Sequence, residues 1–348
     1  MTTVNRFAWL DVARWVALIA MFVAHVAPSV GRADVVLAMG DFVALALFAT
    51  TMGAGAQLGI EGYRRARSRS DIGGWLVGSL VRGILLVMLG MLTEVFDAQI
   101  VGVLVHLGVL AVVISWVVLL PRVGVAGVAV ASFAAAPWIM DRLGPSRMEA
   151  AVEGQEFLAR ALDVLGGGAY YRLPAMLAWA CVGVLIVRWW RRSADSRTQV
   201  LSVAVGTSAF AVFLGLLQVA RVIDVTPYDG SYFQIALSGS LCAVIMTAAI
   251  ALVGEGSQWA APLATAGSMA LTLYVAQHAF LGWWVRNGSS DDTWVTLLIL
   301  TVGGTLAAVG WRMLPLPAVL SRGLLDGPVS WASNAARDSV SAPNRPAA

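Results

Sequence analysis

The chain contains three histidines, His25, His106 and His278, and each is embedded in an apolar run: MFVAHVAP, VGVLVHLGVL and LTLYVAQHAF. A neutral imidazole can take a proton from a hydroxyl or an amine near neutral pH, so general-base chemistry is what these positions could perform. Asp41, in AMGDFVALALF, is a carboxylate in a similar setting. Arg14 and His25 lie eleven residues apart in RWVALIAMFVAH. On an α-helix that spacing is about three turns plus 20°, which puts both on one face at heights differing by roughly 16 Å. Asp11 precedes Arg14 by three residues and joins the same face. Arg82 sits near the middle of another apolar run, VRGILLVMLGML, where a guanidinium needs an anion beside it. Asp11, Asp41 and a bound anionic ligand are the three candidates. No Ser-His-Asp or Cys-His nucleophile pattern is present. Cys181 and Cys242 lie in apolar segments without ligand spacing, so neither a disulfide nor a metal site is expected.

The elements that must position these groups are membrane helices. Of the 348 residues, 59% are hydrophobic and only 12% are charged, about half the charged share of a soluble domain. The predicted fold is all-α, a polytopic bundle of about ten transmembrane helices in contact with membrane lipid. Its spans are expected at 8–30, 34–59, 73–95, 100–120, 123–140, 171–190, 200–222, 233–253, 262–285 and 294–313. All 23 cationic residues are arginines and the formal net charge is +3, a balance that does not call for a nucleic-acid partner. Arg6 before an apolar run ending AHVAPS imitates a cleaved signal, but acidic Asp11 and the many later spans favour a retained anchor. Arg64, Arg65, Arg67 and Arg69 share one side with Arg188, Arg191, Arg192 and Arg197, whereas Glu94, Asp97, Asp163, Asp224 and Asp291 gather on the other. The positive-inside rule then places both termini in the cytoplasm. Under this count the three histidines and Asp41 occupy the outer half of the membrane. They are expected to line one outward-facing chamber, with Arg14 and Asp11 facing the bundle interior near the cytoplasm. Residues 141–170 are expected to form an outer loop with an amphipathic helix, hinged by Gly166, Gly167 and Gly168. Residues 1–322 make one domain, and the small, polar tail 323–348 is expected to be disordered.

The order of several segments resembles a known superfamily. LDVARWVALIAMFVAHV is similar to the first-span signature LDxxRG...H of membrane acyltransferases related to heparan-alpha-glucosaminide N-acetyltransferase, and its Arg-x10-His spacing is also that of the acyltransferase-three family. GDFVALALFATTMGAG, VRGILLVMLGML, VGVLVHLGVLAVV, AYYRLPAMLAWACVGVLIVR and AGSMALTLYVAQHAF follow in the matching order. Trp15 stands where those proteins usually have glycine, and Arg172 precedes the proline-containing span atypically.

What the resemblance implies is an enzyme of a bacterial cytoplasmic membrane that moves an acyl group, acetyl in the first instance, from cytoplasmic acyl-CoA to an extracytoplasmic glycan or glycolipid. His25 would be the general base, with Asp41, His106 and His278 completing the catalytic layer. Arg14, Asp11, Arg82, Arg64, Arg65, Arg191 and Arg192 would handle the donor, since guanidinium forks suit phosphate. No metal is implied, and a homo-oligomer is left open. The same polar layer could instead serve a proton-coupled transporter, and a non-catalytic scaffold for envelope-polymer assembly is a third reading.

Overall fold

Hydrocarbon offers no partner to a backbone N–H or C=O, so an apolar run of about twenty residues must satisfy its own polar groups as a helix. The computed structural model describes residues 7–28, 33–66, 72–98, 100–192, 197–253 and 257–341 and is helical, with no strand among them. In chain order the helices are α1 (Ala8–Val26), α2 (Ala33–Ala66), α3 (Ile72–Thr93), α4 (Leu104–Val117), α5 (Arg122–Val152), α6 (Glu156–Leu162), α7 (Leu173–Arg192), α8 (Arg197–Val219), α9 (Tyr232–Leu252), α10 (Ala261–Ser268), α11 (Ala270–Arg286), α12 (Trp294–Leu298), α13 (Gly304–Met313) and α14 (Asp326–Ser341). A π-helical turn over Ile299–Gly303 joins α12 to α13 into one continuous rod. Counting that rod once, eight helices of the described residues are long and apolar enough to cross a membrane.

Four sequence expectations are corrected here. The segment expected to span 100–120 is the short α4, of 14 residues. The span expected over 262–285 is broken at Met269 into α10 and α11. The fifth helix does not stop at 140; α5 runs on through Pro137 and Pro145 to Val152, so Met148 and Val152 belong to it and not to a separate interfacial helix. The chain then turns at Gly154, whose φ of 73° suits a residue without a side chain, and α6 carries Leu158 and Leu162. The tail is not disordered throughout: residues 326–341 form α14, which packs against α3. Composition misled because this helix is held by specific polar contacts. Ser333 Oγ donates to the Gly78 carbonyl at 2.7 Å, and a side chain at position 78 would run into the stem of Arg337.

Small residues let the inner helices approach closely, as lipid-embedded bundles require. A side chain at Gly53 would clash with the Ala180 carbonyl, and one at Gly183 with the Thr50 carbonyl, so α2 and α7 meet backbone to backbone. Trp15 is buried against Phe22 and the α13 terminus, filling space that glycine would leave. Leu80, Ile84 and Met88 of α3 and Val212 and Leu216 of α8 face outward, an apolar surface that acyl chains would solvate.

Candidate functional site

Two cavities lie on either side of the middle of α11. The first has a volume of about 320 Å³ and carries Arg14, Arg82, Arg322 and Arg337 in its wall, with Asp326 as its one carboxylate among the described residues. The second, about 580 Å³, is lined by Thr93, Glu94, Asp97, His106, Asp163 and His278, among others. Tyr274 faces the arginine cavity and His278, one turn later, faces the histidine cavity. Their rings stack at 4.5 Å between centroids, so this pair forms a shared wall.

Two arginines of the first cavity are placed by distinct devices. Arg14 Nη1 donates to Asp11 Oδ1 at 2.8 Å, and the missing side chain of Gly55 leaves room for its other nitrogen. Arg337 lies over the Trp75 ring at 4.7 Å, in a setting where burial lowers its pKa. Arg82 and Arg322 make no hydrogen bond or ion pair with any described residue. Asp326 accepts from Leu271 N at 3.2 Å, Thr272 N at 2.9 Å and Thr272 Oγ1 at 2.8 Å. The broken helix exposes those amides, and the carboxylate caps them. Burial raises the Asp326 pKa, and these hydrogen bonds together with Arg82 work against the rise.

The histidine cavity sets its two imidazoles in different surroundings. His278 Nδ1 lies 3.0 Å from the Tyr274 carbonyl; a carbonyl only accepts, so Nδ1 carries the proton and Nε2 keeps its lone pair. That Nε2 is buried with no hydrogen-bond partner among the described residues. Gly102 sits beside it: a methyl there would lie 3.6 Å from Thr93 Oγ1, 3.9 Å from the Tyr274 hydroxyl oxygen and 4.0 Å from His278 Nε2. The Tyr274 oxygen accepts the Val103 N–H at 2.9 Å, which leaves its own proton to donate. His106 Nε2 stands 3.4 Å from Asp163, and Arg147 approaches the other oxygen of that carboxylate at 3.5 Å. Across the mouth, Arg160 binds Glu94 through both nitrogens at 3.0 and 3.1 Å.

The expected single chamber is therefore only partly assembled. His106 and His278 share a cavity. His25 lines neither cavity; its Nδ1 contacts the Met21 carbonyl at 3.0 Å and its ring lies within electrostatic reach of His278. Asp41 belongs to a separate small pocket with Arg172, Gln234 and Tyr228 and is hydrogen-bonded to the Tyr228 hydroxyl. Burial, followed by the Asp41 charge, pushes the Tyr228 phenol up. Arg172, whose pKa burial lowers, donates to the Tyr228 carbonyl at 2.9 Å and to the Ala169 carbonyl at 3.0 Å, which ties two loops together. The atypical arginine is thus explained by loop anchoring.

Arg64, Arg65, Arg191 and Arg192 do not enter the arginine cavity. Arg65 and Arg191 pair with Glu61 at 3.6 and 3.3 Å, and Arg191 also lies over the Phe7 and Trp190 rings. They terminate α2 and α7, and the cavity lining on α2 ends at Gly59. Of the expected donor residues, Arg14 and Arg82 line the cavity, and Asp11 supports Arg14 from behind. Neither Asp11 nor Asp41 pairs with Arg82. Sequence reading missed Tyr274, Arg322, Asp326 and Arg337. The Tyr-x-x-x-His and Arg-x-x-x-Asp spacings, each one helical turn, were the available signals. Cys181 and Cys242 are free and buried, and no described cluster of His, Cys, Asp and Glu could hold a metal. The sequence matches no protein-family model and no curated protein, so the functional reading rests on these residues.

Proposed function

We propose that the protein is a multi-pass membrane acyltransferase with acyl-CoA as donor substrate and a hydroxyl or amine of an extracytoplasmic glycan or glycolipid as acceptor. The observation that carries this reading is the wall made by Tyr274 and His278, with an arginine-lined cavity on one side and a histidine- and acid-lined cavity on the other. The first suits a phosphate-bearing donor, and the second a neutral polyol or amine within reach of Asp97 and His278. The arginine end and both termini lie in the cytoplasm of a bacterial cell, and α4 together with the broken α10–α11 pair completes a ten-segment bundle.

In this reading His278 Nε2 takes the acceptor proton while the acceptor oxygen or nitrogen bonds to the acyl carbon. The carbon–sulfur bond breaks, and the thiolate regains the proton from His278. The Tyr274 proton, which the Val103 contact leaves free to donate, would serve the oxygen that gains charge. His278 therefore takes the base role expected of His25, because it faces a cavity and His25 does not.

The test is reconstitution in proteoliposomes with acetyl-labelled acetyl-CoA added on the arginine side and extracted envelope glycans on the other. Label on the glycan supports the reading. Solute uptake driven by a proton gradient, with no transfer, would replace it with the transporter.

A further inference from the structure

The segment from Arg322 through α14 has the composition of a soluble tail, yet it supplies Arg322, Asp326, Ser330 and Arg337 to the wall of the arginine cavity. We propose that this C-terminal segment is a ligand-binding element that grips the phosphate-rich end of the occupant, with Arg322 and Arg82 as the guanidinium groups that receive it. The inference rests on the acyl-CoA reading only for the identity of that occupant.

The charges argue for more than one phosphate. Four guanidinium groups meet one lining carboxylate, and Asp11 engages one nitrogen of Arg14 from behind. The wall therefore carries more guanidinium than carboxylate, with Tyr63 and Asp338 also acting on Arg337. Arg82, in the middle of a membrane-spanning helix, and Arg322 are both exposed and make no hydrogen bond or ion pair with any described residue, which leaves their donors open to a ligand. A diphosphate offers several oxygens in a row and can bridge two such forks. Ser330 adds a hydroxyl to the same wall, whereas Ser79 and Ser115 donate to the Trp75 and Val112 carbonyls of their own helices. The segment is not merely leaning on the surface, since Ser333 is bonded to Gly78 and Asp326 caps α11. It also touches the helix that carries Tyr274 and His278, so the element that would sense the phosphates is joined to the wall where chemistry is proposed.

The shared chemistry, two phosphate groups close together, could come from a soluble nucleotide-type donor or from an anionic lipid headgroup such as that of cardiolipin. Isothermal titration calorimetry separates them, using full-length protein in phosphatidylcholine nanodiscs with CoA, dephospho-CoA or inorganic pyrophosphate as probes. A second set of discs contains cardiolipin. Arg322→Gln and Arg82→Gln should each weaken CoA and pyrophosphate about tenfold or more, as loss of a charge-assisted contact does. Arg322→Lys should recover part of the loss, and Arg312→Gln, outside the cavity, should change nothing. Intact thermal unfolding of Arg322→Gln keeps the comparison clean. If Arg82→Gln weakens binding and Arg322→Gln does not, the C-terminal segment has no part in recognition and the inference is overturned. If pyrophosphate binds, is weakened by Arg322→Gln and competes equally with CoA, the segment's role stands and the acyl-CoA reading falls. Pyrophosphate binding abolished by cardiolipin identifies a lipid headgroup as the occupant held by the same arginines. Wild-type protein that binds none of the three probes in phosphatidylcholine, and whose stability cardiolipin leaves unchanged, overturns the inference altogether.

Discussion

His278 and Tyr274 divide the proposed chemistry between one nitrogen and one hydroxyl, and this makes their variants separable. His278→Ala should remain folded and keep donor affinity while turnover falls by about 10²–10⁴-fold, the range for a lost general base. Tyr274→Phe removes a hydroxyl whose oxygen accepts the Val103 amide, and a lost oxyanion donor costs about 10²–10³ in kcat. His25→Ala, outside both cavities, should cost less than about tenfold. Steady-state kinetics with labelled acyl-CoA decides all three, and near-normal turnover in His278→Ala would end the base assignment. Gly102→Ala adds a methyl at ordinary contact distance, 4.0 Å from His278 Nε2. It should leave the melting temperature unchanged and raise the acceptor KM without affecting donor binding.

At the scale of elements, the break at Met269 and helix α14 act together, because the amides freed by the break are capped by Asp326. The same carboxylate opposes anion binding in the arginine cavity. Burial raises its folded-state pKa, so the folded protein holds this proton more tightly than the unfolded chain does. The stability that linkage contributes is present below the ordinary carboxylate value of about 4 and is lost as pH rises through the raised folded value. Asp326→Asn keeps an acceptor oxygen for the cap and removes both effects. Its melting temperature should therefore vary less with pH across that window than the wild type's, and it should bind pyrophosphate more tightly at pH 7. Differential scanning fluorimetry and calorimetry check the two parts, and an unchanged affinity would show that Asp326 does not face the ligand. The sequence displayed this acid and its spacing from Arg322, but its partner amides lie more than 50 positions away in the chain. Periodicity within a segment carries no trace of such a pairing.

The whole molecule has a cationic end and an end rich in acids and histidine, and proposed topology follows from that asymmetry. Both native cysteines are buried, so single introduced cysteines report cleanly. Asp97→Cys should react with an impermeant maleimide on intact cells, whereas Arg64→Cys should react only after permeabilisation; the reverse pattern would invert the molecule. Membrane character and helical class were settled by sequence alone, since a chain with 59% hydrophobic residues and 12% charged ones has little alternative to helices that satisfy their own backbones. The stripe joining Asp11 to Arg14 was equally legible, being a matter of 3.6-residue periodicity on one helix. Which polar groups share a cavity was not legible, because depth in the membrane fixes height but leaves open the direction in which each helix turns its face. His106 and His278 line one cavity, His25 does not reach it, and Asp41 turns toward Tyr228. Only packing decides that rotation, through close contacts such as those at Gly53, Gly183 and Gly78, and packing alone folds a polar tail into the wall of the arginine cavity.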